Sequence, residues 1–104
     1  MQLHIDPWRI AWDPAKSDEN YRLRGFDFAF ATLIFLGPTL EREDRRRDYG
    51  ERRTIAIGLA DDLELTVVYT DRLKPNGSVE RRIISARRSK RRERRAYQAR
   101  LKTR

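Results

Sequence analysis

The sequence contains no cysteine and only one histidine among its 104 residues. Without cysteine there is no disulfide framework and no thiolate zinc site, a composition that fits a cytoplasmic protein. The single imidazole, His4, lies in a loose N-terminal stretch and is set aside as a catalytic group, and no H-x-x-x-H, P-loop or G-x-S-x-G spacing exists. Long apolar runs are also missing. The longest, Phe28 to Gly37, is about ten residues against the ~20 that a membrane span requires. The opening M-Q-L-H-I-D-P-W-R-I has no apolar core for a signal peptide. The expectation is a soluble, cytoplasmic chain with no membrane partner. Acids that resemble metal ligands (Glu41, Glu43, Asp44, Asp61, Asp62) fall in loop-like stretches rich in opposite charge, so neither a metal nor another cofactor is expected.

What is abundant is arginine. The net charge is +8, but residues 81–104 hold 12 Lys/Arg and one acid, whereas residues 1–80 hold 12 Lys/Arg and 15 acids. A slightly acidic body with a strongly basic end calls for a polyanion or an acidic protein as partner. Nucleic acid comes first, because phosphates reward dense Arg and Lys through counterion release.

A chain of this length forms one small domain, here residues 9–104 behind an extension of residues 1–8. Arg9 to Trp12 reads as a short strand. Asp13 can cap a helix with Pro14 at its first position and Gly25 as its left-handed stop, giving a helix over 14–24. Asp27 can cap a second helix over 28–36, F-A-F-A-T-L-I-F-L, apolar almost all round and therefore buried; a buried strand is its rival. Glu41 to Gly50 reads as a mixed-charge loop. Three strand signals follow: Arg53 to Leu59, Leu63 to Thr70 across an Asp61-Asp62 turn, and Val79 to Ala86 after the Lys74-Pro75-Asn76-Gly77 turn. A basic helix over 89–102 ends the chain. The order β-α-α-β-β-β-α implies an α+β fold, a small antiparallel sheet with helices packed on it.

The most distinctive stretch is Arg82 to Tyr97, R-I-I-S-A-R-R-S-K-R-R-E-R-R-A-Y. Arg82, Ile84 and Ala86 are expected on one strand face. Glu93 and Tyr97 stand i, i+4 on the last helix, and Arg87 ends the strand before it. The three either surround a phosphate, or Glu93 pairs with a neighbouring arginine and Tyr97 packs on the sheet. The arginines from Arg88 to Arg95, Arg94 among them, form an electrostatic handle for RNA or an acidic surface. Lys16, Asn20 and Arg24 share one face of the first helix, either a wet face or a substrate contact. Arg53, opening a strand, is placed to hold a phosphate bidentately.

Four pieces together resemble the BrnT toxin family. They are W-D-P-A-K with Asn20, Gly25 and Phe28; Gly50-Glu51-Arg52-Arg53 before I-A-I-G; L-x-V-V-Y-T from Leu65 to Thr70; and R-I-I-S-A-R from Arg82 to Arg87, followed by Glu93 and Tyr97. The resemblance implies a RelE-like toxin fold and an endoribonuclease that cleaves mRNA and arrests growth. It implies neutralisation by a BrnA-like ribbon-helix-helix antitoxin, with operator DNA contacted indirectly through that antitoxin and the operon autorepressed. The family pattern N-x-x-K-H-G becomes Asn20-Tyr21-Arg22-Leu23-Arg24-Gly25 here, so the family histidine falls at Arg24. Arginine holds phosphate but exchanges no proton near neutral pH. In this reading the catalytic set is Arg53, Arg87, Glu93 and Tyr97: the two arginines stabilise the phosphorane, Glu93 is the base, and Tyr97 donates a proton or stacks on a base. The substrate-binding set is Lys16, Asn20, Arg24, Arg82 and Arg94. The alternatives are a non-catalytic nucleic-acid-binding module and a catalytically dead relative kept as co-repressor.

Overall fold

The computed structural model describes residues 9–102; the expectations for residues 1–8, His4 included, lie outside that range. Within it the order is β1 (Ile10–Trp12), α1 (Pro14–Arg24), α2 (Phe28–Ala31), a 3-10 turn (Thr32–Leu36), β2 (Leu40–Glu43), β3 (Thr54–Ala60), β4 (Leu63–Leu73), β5 (Val79–Arg88) and α3 (Arg91–Lys102). The α1 signals act as expected. The Asp13 carboxylate accepts from the Ala15 N–H at 2.9 Å, and Gly25, at φ +86°, donates its N–H to the Tyr21 carbonyl. The buried Ser17 hydroxyl accepts from the Phe28 N–H, and the buried Asn20 amide donates to the Phe26 carbonyl, fixing the turn into α2.

The fold class is α+β, but the sheet is mixed rather than antiparallel. Its order is β1-β5-β4-β3-β2, with β1 parallel to β5 and the other pairs antiparallel. Three expectations change with it. The segment read as a loop from Glu41 begins as β2, a short edge strand on β3 that adds one strand to the order; charged residues are normal on an edge, where they discourage pairing with other chains. The helix expected over 28–36 stops at Ala31. Thr32 turns its hydroxyl back to the Ala29 carbonyl (2.7 Å), and the chain tightens into the 3-10 turn. The last helix starts at Arg91 rather than Ser89.

The main core lies on one sheet face, where Ala56, Ala60, Leu65, Val67, Tyr69, Ile83 and Ala86 meet Phe26, Phe28, Ala31 and Ile34. Arg81 closes one end of it, stacked over the Tyr69 ring (3.9 Å) and forked onto Asp71. On the other face, Ile55, Ile57 and Val68 are buried with Tyr97 of α3. A bulge opposite Val68/Tyr69 lets one extra residue, Ile84, into β5. Arg82 therefore pairs with Thr70 and Ala86 with Val67, so Arg82 and Ala86 point to opposite faces and not to the shared face expected from alternation.

Candidate active site

The face that carries α3 is organised in cross-strand rows. One row joins Leu40, Ile57, Thr66 and Arg87, and the next joins Arg42, Ile55, Val68 and Ser85. Beyond them Thr70 stands opposite Arg82, and its hydroxyl donates to the Arg52 carbonyl at 2.8 Å. The apolar middle of these rows is thus edged by arginines from two strands, Arg42 of β2 and Arg82 and Arg87 of β5.

At the first row the strand–helix junction brings Arg87 and Glu93 together. The guanidinium donates to both carboxylate oxygens at 2.7 and 2.9 Å. Glu93 is the third residue of α3 and reaches back to accept the Lys90 N–H at 2.7 Å, so the same carboxylate caps the helix. Beneath them the buried Thr66 and Ser89 hydroxyls share a hydrogen bond of 2.8 Å. The Arg87 guanidinium above all, with help from the Lys90 N–H and against the effect of burial, holds the Glu93 carboxyl down at about 2. Glu93 is ionised at every physiological pH.

The other expected residues divide. Tyr97 is buried, and its phenol donates to the Pro38 carbonyl at 2.8 Å, tying α3 to the strap before β2. Arg94 donates to the Ser89 carbonyl at 2.8 Å. Arg53 stands just ahead of β3, paired with Glu51 at 3.2 Å and stacked over the Tyr49 ring at 4.2 Å. It lies four residues along from Ile57, the residue in Arg87's row, or about 13 Å at ~3.3 Å per residue. Arg53 and Arg87 therefore do not converge on one phosphate in this arrangement. Arg82 is half-buried, and its side chain has no hydrogen-bond or ion-pair partner among the described residues.

Lys16, Asn20 and Arg24 line a cavity of about 240 Å³ with Ile84 and Ser85, at the edge of β5 left free where β1 ends. It is not a uniformly wet face. Lys16 is exposed, whereas Asn20 is buried and accepts from Arg24, whose guanidinium also donates to the Ala86 carbonyl at 3.0 Å. Arg24 thus joins α1 to the strand residue that precedes Arg87.

Several neighbours escaped the sequence reading. Lys90 as the cap position had a signal, the glutamate three residues on. Thr66 and Ser89 had none, being separated by 23 residues. Asp44, at the start of the charged segment, is buried; it accepts two guanidinium bonds from Arg46 at 2.8 Å and one from the Tyr49 hydroxyl, and these hold it far below the usual carboxylate range. That cluster orders the loop which carries Tyr49 under Arg53.

Comparison with known families matches residues 12–93 to the ribonuclease toxin BrnT of type II toxin–antitoxin systems. No curated protein matches the chain.

Proposed function

Because the chain belongs to the BrnT family of ribonuclease toxins of type II toxin–antitoxin systems, we propose that it is an endoribonuclease that cuts mRNA in the cytoplasm and arrests growth. A BrnA-like ribbon-helix-helix antitoxin neutralises it, and the pair represses its own operon through the antitoxin's hold on operator DNA. In this reading the sheet is a RelE-type arrangement with β1 added in parallel at one edge. The observation that carries the catalytic assignment is the Arg87–Glu93 fork at the junction of β5 and α3, opening on an arginine-edged face.

In this reading the reaction uses the chain, the RNA and water. The 2′-oxygen attacks the adjacent phosphorus, the bond to the 5′-oxygen breaks, and a 2′,3′-cyclic phosphate and a 5′-hydroxyl result. Arg87 serves the phosphorane, the electrostatic contribution that is usually the largest. To do so it must exchange one carboxylate for the phosphate. That exchange also changes Glu93. Once the guanidinium turns away, the chief cause of its low pKa is gone, so it becomes a better acceptor for the 2′-hydroxyl proton at the moment the phosphate is bound. The leaving oxygen takes a proton from water on the open face, and the hydroxide left behind takes the proton held by Glu93, which restores the water and the carboxylate. Arg82, whose side chain has no partner among the described residues, and Arg53 hold flanking phosphates, and Lys16, Asn20 and Arg24 form the far end of the track. Tyr97 and Arg94 position α3.

Arg87→Ala and Glu93→Gln test this on a defined RNA. Gln retains an oxygen for the Lys90 N–H, so the helix cap survives. Each variant should lose cleavage by about 100-fold or more. Wild-type rates from either, with unchanged circular dichroism, would falsify the assignment. The non-catalytic reading draws on Arg24, which stands where the family histidine falls and spends its donors on Asn20 and Ala86. Tight RNA binding by the wild-type chain with no cleavage would establish it.

A further inference from the structure

Between β2 and α3 lies a cavity of about 370 Å³ that the scheme above leaves unused. Its floor is Leu40, Ile55 and Ile57, and its α3 wall is Arg92, Glu93 and Ala96. Those three wall residues stand at i, i+1 and i+4, so Arg92 and Ala96 share a face, with Glu93 one turn below Ala96. Ala96 is exposed, and its small side chain is what keeps the cavity open. Glu41 and Arg42 close the β2 side.

Three observations select the occupant. The volume falls at the small end of ligand cavities, about 300–1,000 Å³, which suits one flat ring system rather than a peptide side. The polar lining is the Arg42 and Arg92 guanidinium groups and the Glu93 carboxylate around an apolar floor, so it offers donors and an acceptor to a ring with both; the Glu41 carboxylate is turned to the other sheet face, where it accepts from the Tyr69 hydroxyl at 2.7 Å. The neighbouring edge strand has only four residues, three of them charged, which disfavours strand addition by a protein partner. Glu93 belongs both to this wall and to the fork with Arg87.

We propose that this cavity is a nucleobase pocket, seating the base of a nucleotide whose phosphate lies at Arg87 and so setting which sequence is cut. It rests on the ribonuclease reading and adds a specificity determinant. The base lies over Ile55 and Ile57 with its edge toward Glu93 and Arg42, and the Arg92 guanidinium covers its outer side.

The test fills the pocket from its exposed wall with Ala96→Trp, which replaces no residue of the core or of the fork. Cleavage ends are mapped on a mixed-sequence RNA pool. The wild type should prefer particular bases at one position beside the cut. In Ala96→Trp the ratio of kcat/KM between best and worst base at that position should fall at least tenfold while cleavage persists. A second measurement needs no catalysis: methyl NMR during titration with the four nucleoside 3′-monophosphates and with inorganic phosphate. Leu40, Ile55 and Ile57 methyl signals should move with the nucleotides, unequally among bases, and not with phosphate alone; Ala96→Trp should abolish the shifts. Identical shifts from phosphate, or an unchanged base preference in the variant, overturns the pocket. So does a variant that cuts and binds as wild type but escapes neutralisation by its antitoxin, which would assign the groove to a protein partner. Base-dependent shifts in a chain that cuts no RNA would remove the ribonuclease reading and leave the pocket standing.

Discussion

Glu93 has three attachments at once: the Arg87 guanidinium, the Lys90 N–H and the edge of the β2–α3 cavity. Its folded-state pKa, lowered from 4.5 to about 2, makes it a stability group as well as a catalytic candidate. A carboxyl depressed on folding stabilises the native state fully above its unfolded pKa, and that contribution fades as pH falls through the folded value. The window here runs from about pH 4.5 down to about 2. Urea midpoints followed by circular dichroism should drop across it in the wild type and drop less in Glu93→Gln, which has no proton to take up at this position. Asp44, depressed by Arg46, works in the same direction, so the variant should keep part of the slope. Equal slopes in the two proteins would show that the fork does not survive in solution. The pairing of Arg87 with Glu93 was half visible in the sequence: both residues stand out, but only the junction geometry makes one guanidinium span both carboxylate oxygens. Of the two readings open for Tyr97, a place beside the phosphate or packing on the sheet, the structure has the packing, and spacing could not choose between them. Helical spacing puts Tyr97 on the Glu93 face, and spacing does not tell whether that face looks at solvent or, as here, is pressed on the sheet with the phenol turned to Pro38.

Among the elements, the 3-10 turn packs directly against β3 at Gly58. A Cβ built on Gly58 would sit 2.9 Å from the Ile34 Cβ and 3.3 Å from the Ile34 carbonyl oxygen. Neither is the free end of a side chain, so the turn itself has to shift. Gly58→Ala should therefore destabilise by about 1–3 kcal/mol, the usual cost of overpacking, read as a lower urea midpoint. Because Gly58 faces away from Arg87 and Glu93, cleavage at low temperature should stay within a few-fold of wild type. A neutral or stabilising effect would mean that the turn is looser than described. The same contact explains why the apolar run 28–36 could not be resolved from sequence. Its α-helical start is capped by Asp27 as the sequence indicates, but the tightening after Ala31 brings Ile34 onto a glycine of a distant strand. The β3–β4 hairpin was legible from alternation and the Asp61-Asp62 turn. β1 was legible as a strand but not in direction, since three residues carry no signal for parallel pairing. β2 reads as a charge run because an edge strand tolerates charge. The bulge at Ile84 leaves no mark in a run of apolar residues, yet it decides which face Arg82 occupies.

Over the whole molecule, charge is separated along the chain and then brought onto one structure. The last 24 residues carry 12 Lys/Arg and a single acid, and that acid is spent on Arg87 and the helix cap. Arg91, Arg92 and Arg95 of α3 are exposed and, among the described residues, have no ion-pair partner. Arg91 and Arg95 stand i, i+4, both exposed, and neither lines the β2–α3 cavity. They belong to the handle rather than the site, and the distinction is measurable. For single-stranded RNA each phosphate neutralised contributes about 0.7 to the slope of log binding constant against log salt. The double variant Arg91→Gln, Arg95→Gln should lower that slope by about 1.4 in fluorescence anisotropy titrations. Affinity should weaken alike for every RNA sequence, with base preference and the rate of cutting bound RNA retained. Arg87→Ala, by contrast, should stop cutting while changing the slope by about 0.7 at most. If the double variant leaves the slope untouched, α3 presents its outer arginines to something other than RNA, and the acidic surface of an antitoxin becomes the partner they fit.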